Sequence, residues 1–232
     1  MKDIVLSLYD YTGVMVKPWA ESGYECHTFD IQHDNSVTQY KGGGSIHRHC
    51  LDLHNNIYDI VEMFKDRSIR MVFGFPVCTD LAVSGAAHFA NKAKADPLFQ
   101  TKAVARAKAV AILAERLLGT SYMIENPVSV LATQWRKPDF YFQPYEYGGY
   151  IDPVDAEHPL YPAYIAPRDA YSKKTGIWSG GNFKRPTVKP VECESFGKSR
   201  QHSKLGGKSE KTKNIRSATP RGFAQAVFEA NR

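Results

Sequence analysis

The chain has 232 residues, 43% of them hydrophobic and 23% charged. It is long enough for a substantial core, and its composition excludes a wholly disordered or collagen-like protein. No apolar run approaches the ~18 residues of a membrane span, and no export signal is visible at the N-terminus. Four scattered cysteines without CxxC spacing argue against a disulfide framework. These features predict a soluble cytoplasmic protein.

The positive charge is concentrated in the C-terminal fifth of the chain. The net charge is +6, and residues 184–232 carry 12 Lys and Arg against 4 Asp and Glu, which leaves residues 1–183 at −2. Such a segment is most often a solvated surface. A second interpretation is contact with a polyanion, because cationic side chains displace counterions from nucleic-acid phosphates.

Short apolar runs alternate with helical patterns over the first 136 residues. The predicted strands are 4–9, 26–31, 45–53, 70–75 and 121–124. The predicted helices are 14–22, 55–65 and a long one between the Asp96-Pro97 start signal and Gly119. This alternation predicts an α/β fold with an open, mostly parallel sheet, here residues 1–136.

The remainder of the chain reads differently. Residues 137–215 are rich in aromatic residues, proline and glycine, which predicts a long irregular insert with a functional role, and residues 197–217 are expected to be mobile. The apolar positions of residues 222–230 predict a last helix, so residues 216–232 are expected to pack back on the core.

Polar side chains follow four of the predicted strands. The turn of residues 10–13 follows the first strand, and Asp30 ends the second. Cys78 follows the fourth strand, and Glu125 and Asn126 follow the fifth. Ligands of open α/β sheets bind at the carboxyl ends of the strands. The plainer alternatives are an ordinary turn, a capping aspartate and a buried, inert cysteine.

Cys78 and Glu125 suit one kind of chemistry. A glutamate at the end of an apolar strand is partly desolvated, which raises its pKa and lets it donate a proton. A thiol beside such an acid favours addition to an electron-poor ring. By contrast, the spacing of His47, His49, Cys50 and His54 fits no closed zinc pattern, so the sequence predicts no metal.

The order of these features resembles the DNA (cytosine-5)-methyltransferases, particularly the compact forms commonly encoded by bacteriophages. A glycine turn, an acidic strand end, Asp52, a Pro-x-Cys loop and a Glu-Asn strand follow in that order. The segments that carry the resemblance are 78–85, 124–128, 135–139, 172–175 and 212–221. One departure is Val77, which stands where the family usually has proline and relaxes the φ restriction of the loop.

The resemblance implies a Rossmann-like S-adenosylmethionine-dependent fold and a cytosine flipped out of duplex DNA. Cys78 would attack carbon 6 of the ring, and Glu125 would protonate the ring nitrogen. The implied catalytic set is Cys78, Glu125, Asn126, Lys173 and Lys174. The implied donor-binding residues are Tyr9, Asp10, Thr12, Gly13, Asp30, Ile31, Asp52, Leu53 and Pro76. The implied nucleic-acid contacts are Ser84, Arg136, Arg168, Lys198, Arg200, Lys204, Lys208, Lys211, Lys213 and Arg216.

Two other functions stay open. The same chemistry on a free cytosine nucleotide would explain the short recognition region, although it leaves the basic segment without a polymer. A catalytically silent relative that only binds DNA needs neither Cys78 nor Glu125. The sequence also predicts that the protein binds neither a metal nor a membrane. A phage-encoded protein of this kind is expected in the host cytoplasm.

Overall fold

The computed structural model describes residues 3–194, 199–207 and 209–232. Two compact units divide the chain. The first comprises Met1–Tyr11, Trp19–Tyr141 and Thr175–Phe183, and the second comprises Thr12–Pro18, Phe142–Lys174 and Lys184–Arg232. Within the described ranges, no helix is long and apolar enough to cross a membrane.

An eight-stranded sheet organises the first unit. Its strands are β1 (Ile4–Leu8), β2 (Glu25–Asp30), β3 (Ser36–Gln39), β4 (Ser45–Cys50), β5 (Ile69–Gly74), β6 (Ser121–Pro127), β7 (Phe140–Phe142) and β8 (Thr175–Gly180). The strand order is β3-β4-β2-β1-β5-β6-β8-β7. The pairs β1–β2, β1–β5, β2–β4 and β5–β6 are parallel, whereas β3 and β8 run antiparallel to β4 and β6. The predicted α/β fold with a mostly parallel sheet is confirmed.

The helices are mostly short. They are α1 (Lys17–Glu21), α2 (Leu53–Asn56), α3 (Asp59–Met63), α4 (Phe89–Ala95), α5 (Phe99–Ile112), α6 (Leu131–Gln134), α7 (Arg200–Lys204), α8 (Glu210–Ser217) and α9 (Arg221–Asn231). The longest, α5, continues into a π-helical turn at Leu113–Leu117. Asp96 accepts a hydrogen bond from the Leu98 amide at 3.0 Å, as expected of a residue that starts a helix.

The two faces of the sheet are covered by different helices. The even-numbered residues of β1 pack with α2, α3 and α5 in one buried cluster, which also contains Val72 of β5. Phe73, the next residue of β5, points the other way and meets Trp19 of α1 at a ring-centroid distance of 6.1 Å. Since side chains alternate along a strand, α1 and α5 cover opposite faces.

The irregular insert contains more regular structure than the sequence predicts. β7 and β8 lie within it, and α7 and α8 occupy the segment expected to be mobile. The α8 helix begins where the Ser209 hydroxyl accepts from the Thr212 amide at 3.2 Å. These elements are too short for their periodicity to stand out, and their ends are fixed by capping and strand pairing.

In the second unit, α9 packs on the 3₁₀ segment Pro144–Tyr150. The rings of Phe142 and Phe223 stack at 3.9 Å. A Cβ at Gly222 would lie 2.2 Å from the Tyr147 carbonyl oxygen, so only glycine permits this close approach.

Asp169 is a fully buried carboxyl at the start of α9. Its Oδ2 accepts a hydrogen bond from the Gly222 amide at 3.0 Å, and its Oδ1 has no hydrogen-bond partner among the residues that the structure describes. Burial raises the pKa of Asp169 from 3.8 to about 6, although the Gly222 amide and Arg221 oppose the shift. The carboxyl therefore binds its proton more tightly in the folded chain than in the unfolded one.

We expect wild-type stability, relative to that of Asp169→Asn, to rise as the pH falls. The folded-state pKa lies above the unfolded value, so protonation favours the folded chain, and the gain begins near pH 6 and is complete below the unfolded pKa near 3.8. A pKa difference of about two between the folded and unfolded chains corresponds to a gain of up to about 3 kcal/mol in the free energy of unfolding. Urea unfolding at a series of pH values measures the difference, with the exposed Asp155→Asn as control. A difference that stays constant between about pH 8 and pH 4 would contradict it.

Candidate active site

The chain changes direction across the sheet between β1 and β5. From β1 it builds β2 and β4 on one side, and then it crosses to β5 and β6 on the other. The carboxyl ends of β1 and β5 lie at this change of direction. In open α/β sheets such a switch point is where ligands bind.

The turn after β1 has an unusual backbone. Tyr9 has φ of 59°, a left-handed conformation that costs a non-glycine residue about 1–3 kcal/mol, and Gly13 has φ of 67°. Asp10 is only 4% exposed, and its carboxylate accepts from the Ser7 hydroxyl at 2.7 Å. His33 Nε2 donates to the Asp10 carbonyl at 3.0 Å. Asp10 therefore stabilises this turn through buried hydrogen bonds. Thr12 and Gly13 belong to the second unit.

A half-buried tyrosine links the turns after β1 and β4. The Tyr9 hydroxyl donates to the Leu53 carbonyl at 3.3 Å. Burial raises the pKa of Tyr9 to about 12, so its hydroxyl keeps its proton at neutral pH. Leu53 itself is a core residue of α2.

The two acidic strand ends each have a local structural role. Asp30 Oδ1 accepts from the Gln32 amide at 2.9 Å, which closes the turn after β2. Asp52 caps α2, because its Oδ1 accepts from the His54 amide at 3.0 Å and its Oδ2 from the Asn55 side chain at 2.7 Å. These hydrogen bonds, the Asn55 side chain first, lower the pKa of Asp52. The capping alternative therefore describes Asp30 locally and Asp52 has a similar role, while both still lie at the carboxyl edge of the sheet.

Cys78 is held in a short, ordered loop after β5. It begins the 3₁₀ turn Cys78–Asp80, and its carbonyl accepts from the amides of Leu81 and Ala82 at 2.9 and 2.8 Å. Val77 has φ of −52°, which is within the range of proline, so the loop adopts a proline-like conformation without that residue. Cys78 is half-buried, unlike the fully buried Cys26, whose pKa is raised by burial.

Lys92 of α4 clamps the same turn. Its Nζ donates to Asp80 Oδ1 at 2.6 Å and to the Thr79 carbonyl at 2.9 Å. The sequence does not reveal this role, because Asp80 and Lys92 are 12 positions apart and no recurring pattern pairs them.

Asn126 joins the Cys78 loop to β6. It is 1% exposed, and its Nδ2 donates to the Pro76 carbonyl at 3.0 Å, two residues before Cys78. Asn126 Oδ1 is buried without a hydrogen-bond partner in the described part of the chain. The neighbouring Glu125 is half-buried on the same strand. The structure thus gives Asn126 a positioning contact.

Backbone hydrogen bonds extend this junction beyond β6. The Val83 amide donates to the Val128 carbonyl at 3.0 Å, and the Val130 amide donates to the Leu81 carbonyl at 3.0 Å. The chain after Cys78 and the chain after Glu125 therefore run side by side. The sequence places both residues at strand ends, and the structure joins the loops that carry them.

The predicted catalytic lysines, and Arg168 from the predicted nucleic-acid contacts, lie in the second unit. Lys173 Nζ donates to the Arg216 carbonyl at 2.9 Å, and Lys174 is exposed. Arg168 has φ of 52°, and its Nε donates to the Ile151 carbonyl at 3.1 Å. All three therefore belong to a different unit from Cys78 and Glu125.

Two predicted nucleic-acid contacts lie in the first unit. Ser84 is exposed in the 3₁₀ helix Val83–His88. The guanidinium of Arg136 already makes hydrogen bonds within the protein. Its Nη1 donates to both carboxylate oxygens of Asp139 at 3.0 and 3.1 Å, and its Nη2 donates to the Ser179 carbonyl at 2.8 Å. A phosphate would have to compete with Asp139 for this guanidinium.

The basic C-terminal segment is partly engaged in contacts of its own. Arg200 Nε donates to Glu194 at 2.9 Å, Lys204 Nζ to the Ala163 carbonyl at 3.0 Å, and Arg216 Nη2 to the Leu205 carbonyl at 2.7 Å. Lys211 and Lys213 are exposed on α8. Lys198 and Lys208 lie outside the described residues.

Comparison with known proteins adds little to this geometry. No protein-family model and no curated protein matches the chain. Among solved structures, a prophage-encoded protein of E. coli, provisionally described as a DNA modification methyltransferase, aligns with a TM-score of 0.45 and 12% identity. The alignment covers 82% of this chain and 53% of that one, so the chain spans about half its length. Similarity this distant establishes neither a family nor a function for the chain.

Proposed function

We propose that this chain is a DNA (cytosine-5)-methyltransferase that uses S-adenosylmethionine on a Rossmann-like fold. The observation that carries the proposal is the junction between the Cys78 loop and β6. Asn126 holds the Pro76 carbonyl, and the backbone beyond both segments is hydrogen-bonded, so a thiol and a carboxyl are presented from adjoining, ordered elements. Nucleophile and acid supported in this way suit covalent catalysis.

We assign the donor site to the carboxyl ends of β1, β2, β4 and β5. Ile31 is 66% exposed at the carboxyl edge, which offers an apolar surface to an adenine ring, and the Gln32 amide orients the Asp30 carboxylate there. We assign Asp30 to the ribose hydroxyls, and the turn of residues 9–13 to the methionine part of the donor. Asp52, Leu53 and Pro76 complete the adenine side, where Asp52 would accept from the amino group while still capping α2. S-adenosylmethionine supplies the electrophilic methyl group when bound.

The chemistry of the acceptor ring follows from Cys78 and Glu125. The Cys78 thiolate forms a bond to carbon 6 of cytosine, and the displaced ring electrons reach nitrogen 3, which takes the proton of the Glu125 carboxyl. Carbon 5 thereby becomes nucleophilic and accepts the methyl group. Loss of the carbon 5 proton to solvent then expels the Cys78 thiolate, and nitrogen 3 returns its proton to the Glu125 carboxylate, which restores the ring. Covalent addition thus replaces one difficult substitution by easier steps.

The polymer would be held by the basic residues. We assign exposed Lys211 and Lys213 of α8 to phosphates, since neutralised phosphates release counterions. We also assign Ser84, Arg136, Arg168, Lys198, Arg200, Lys204, Lys208 and Arg216 to the DNA, and we keep Lys173 and Lys174 in the catalytic set that the resemblance implies. Duplex DNA with a flipped cytosine is the proposed partner.

Methylation assays with labelled donor separate this proposal from the two alternatives. The full-length protein is incubated with methyl-labelled S-adenosylmethionine and either duplex DNA or deoxycytidine monophosphate. We expect label in DNA, recovered as 5-methylcytosine after digestion. Label in the mononucleotide alone would favour the nucleotide enzyme. Retarded DNA migration without label in either substrate would favour the silent DNA-binding relative.

A prediction on the donor site concerns Asp30. We expect Asp30→Asn to weaken S-adenosylmethionine binding about 10- to 100-fold, because each charge-assisted hydrogen bond lost is worth about 1.5–3 kcal/mol. Asparagine keeps an acceptor for the Gln32 amide, so the turn is preserved. Isothermal calorimetry measures the affinity, with the exposed neighbour Asp34→Asn as control. Equal affinities of wild type and Asp30→Asn would remove Asp30 from the donor site.

A further inference from the structure

Three ligand-bearing side chains converge on one face of β2 and β4, away from the proposed active site. They are Glu25 and His27 of β2 and His47 of β4. We propose that these residues form a zinc site that clamps the two strands together. The inference is independent of the proposed function, because none of the three side chains belongs to the donor or acceptor site.

The register of the parallel strands creates the cluster. Glu25 pairs with Ser45 and His27 with His47, so alternate residues of both strands point to the same face. His27 Nε2 lies 3.0 Å from Glu25 Oε1, and one donor atom from each of the three residues lies within 4.8 Å of the others. A zinc ion with bonds near 2.1 Å needs ligand atoms about 3.4 Å apart, so the His27 and His47 rings, which stack at 4.6 Å, would rotate when they bind it.

Neighbouring residues hydrogen-bond to the three proposed ligands, as residues around a metal site usually do. His27 Nδ1 lies 2.9 Å from His49 Nε2, so His27 can donate there while its Nε2 faces Glu25. Arg67 donates to both Glu25 oxygens at 3.1 and 3.2 Å, and each oxygen retains a lone pair for a metal. Ser45 Oγ lies 2.9 Å from His47 Nε2, which leaves Nδ1 of that ring as the candidate ligand. Ligating histidines typically use their second nitrogen in this way.

The donor set selects the metal class. Two imidazoles and one carboxylate are borderline ligands that suit Zn²⁺, which takes three protein ligands and leaves a fourth position open. Hard cations such as Mg²⁺ prefer all-oxygen sites. Burial supports specificity, since His27 is only 7% exposed and Phe64 packs edge-on against it at 4.7 Å.

The position of the cluster indicates a structural role. His27 lies three residues before the end of β2, about 10 Å from the carboxyl edge. Bound zinc would cross-link β2 and β4 and stabilise the folded chain by mass action. The spacing of His47, His49, Cys50 and His54 does not reveal this site, because Glu25 and His27 join it only through strand pairing. Cys50 instead contacts the Ile31 carbonyl, with Sγ at 3.5 Å.

Zinc binding by the purified, chelator-treated full chain tests the proposal. We expect equilibrium dialysis against ZnCl₂ to give one ion per chain and the melting temperature to rise with zinc. His27→Gln and His47→Gln should each lose this ion, whereas His49→Gln should weaken binding about 10- to 100-fold. The control is His202→Gln, which removes an exposed histidine of α7. Co²⁺ should give a visible absorption band that the same two variants lose.

Two results would overturn the site. One is wild-type protein that binds no zinc or melts at the same temperature with and without it. The other is His47→Gln that keeps the wild-type zinc stoichiometry. If His27→Gln fails to fold, the less buried His47→Gln decides the question alone. Methylation activity is not the readout, so failure of the zinc site leaves the proposed function standing, and the converse also holds.

Discussion

Replacing Cys78 with serine is expected to abolish both methyl transfer to DNA and covalent capture by DNA that contains 5-fluorocytosine. The serine hydroxyl is not ionised at neutral pH and has no base assigned to activate it, so the bond to carbon 6 does not form. The wild-type protein should be trapped, because a fluorinated carbon 5 has no proton to lose and the Cys78 thiolate cannot leave. Denaturing gels measure the trapped complex, and labelled donor measures turnover.

Donor binding separates a chemical defect from a folding defect. Cys78→Ser should bind S-adenosylmethionine as the wild type does, since the side chain changes by one atom and the loop is held by the Asn126 and Lys92 contacts. Cys193→Ser, a change at another half-buried cysteine, should retain activity and trapping. Wild-type turnover in Cys78→Ser, or trapping through a different residue, would refute the mechanism.

The framework that positions these residues is readable from the sequence. The apolar runs predict β1, β2 and β5 to within one residue at each end, because central strands are buried on both faces. The same reasoning predicts α5 from its helical spacing and start signal. The positions of the strands also give their ends, so the sequence alone predicts which residues lie at the carboxyl edge of the sheet.

What the sequence misses depends on pairings between distant segments. β8 joins the sheet by pairing with β6, which lies about 50 residues earlier. The six residues of β8 contain no pattern that indicates this partner. The junction at Asn126 and the histidine cluster also need the strand register. Arg136 is different, because Asp139 three residues later was a visible local partner for the guanidinium. The structure has this ion pair, and the phosphate contact that the resemblance implies for Arg136 stays a prediction.

Glu125→Gln is expected to lower the methylation rate by about 10²- to 10⁴-fold, the usual contribution of a general acid. Glutamine keeps the size and hydrogen-bonding reach of the side chain but cannot transfer a proton to nitrogen 3, so addition of Cys78 becomes slow. Glu115→Gln, an exposed change on the π-helical turn after α5, is the matched control and should leave the rate unchanged.

The loss in Glu125→Gln should fall on kcat, while donor affinity stays at the wild-type level. Single-turnover methylation with labelled donor measures the chemical step, and calorimetry measures donor binding. Slow trapping on 5-fluorocytosine DNA should accompany the slow turnover, because addition at carbon 6 and protonation at nitrogen 3 are parts of one step. A variant that traps and turns over at the wild-type rate would show that another group supplies the proton, and Glu125 would then be only a strand residue beside the Cys78 loop.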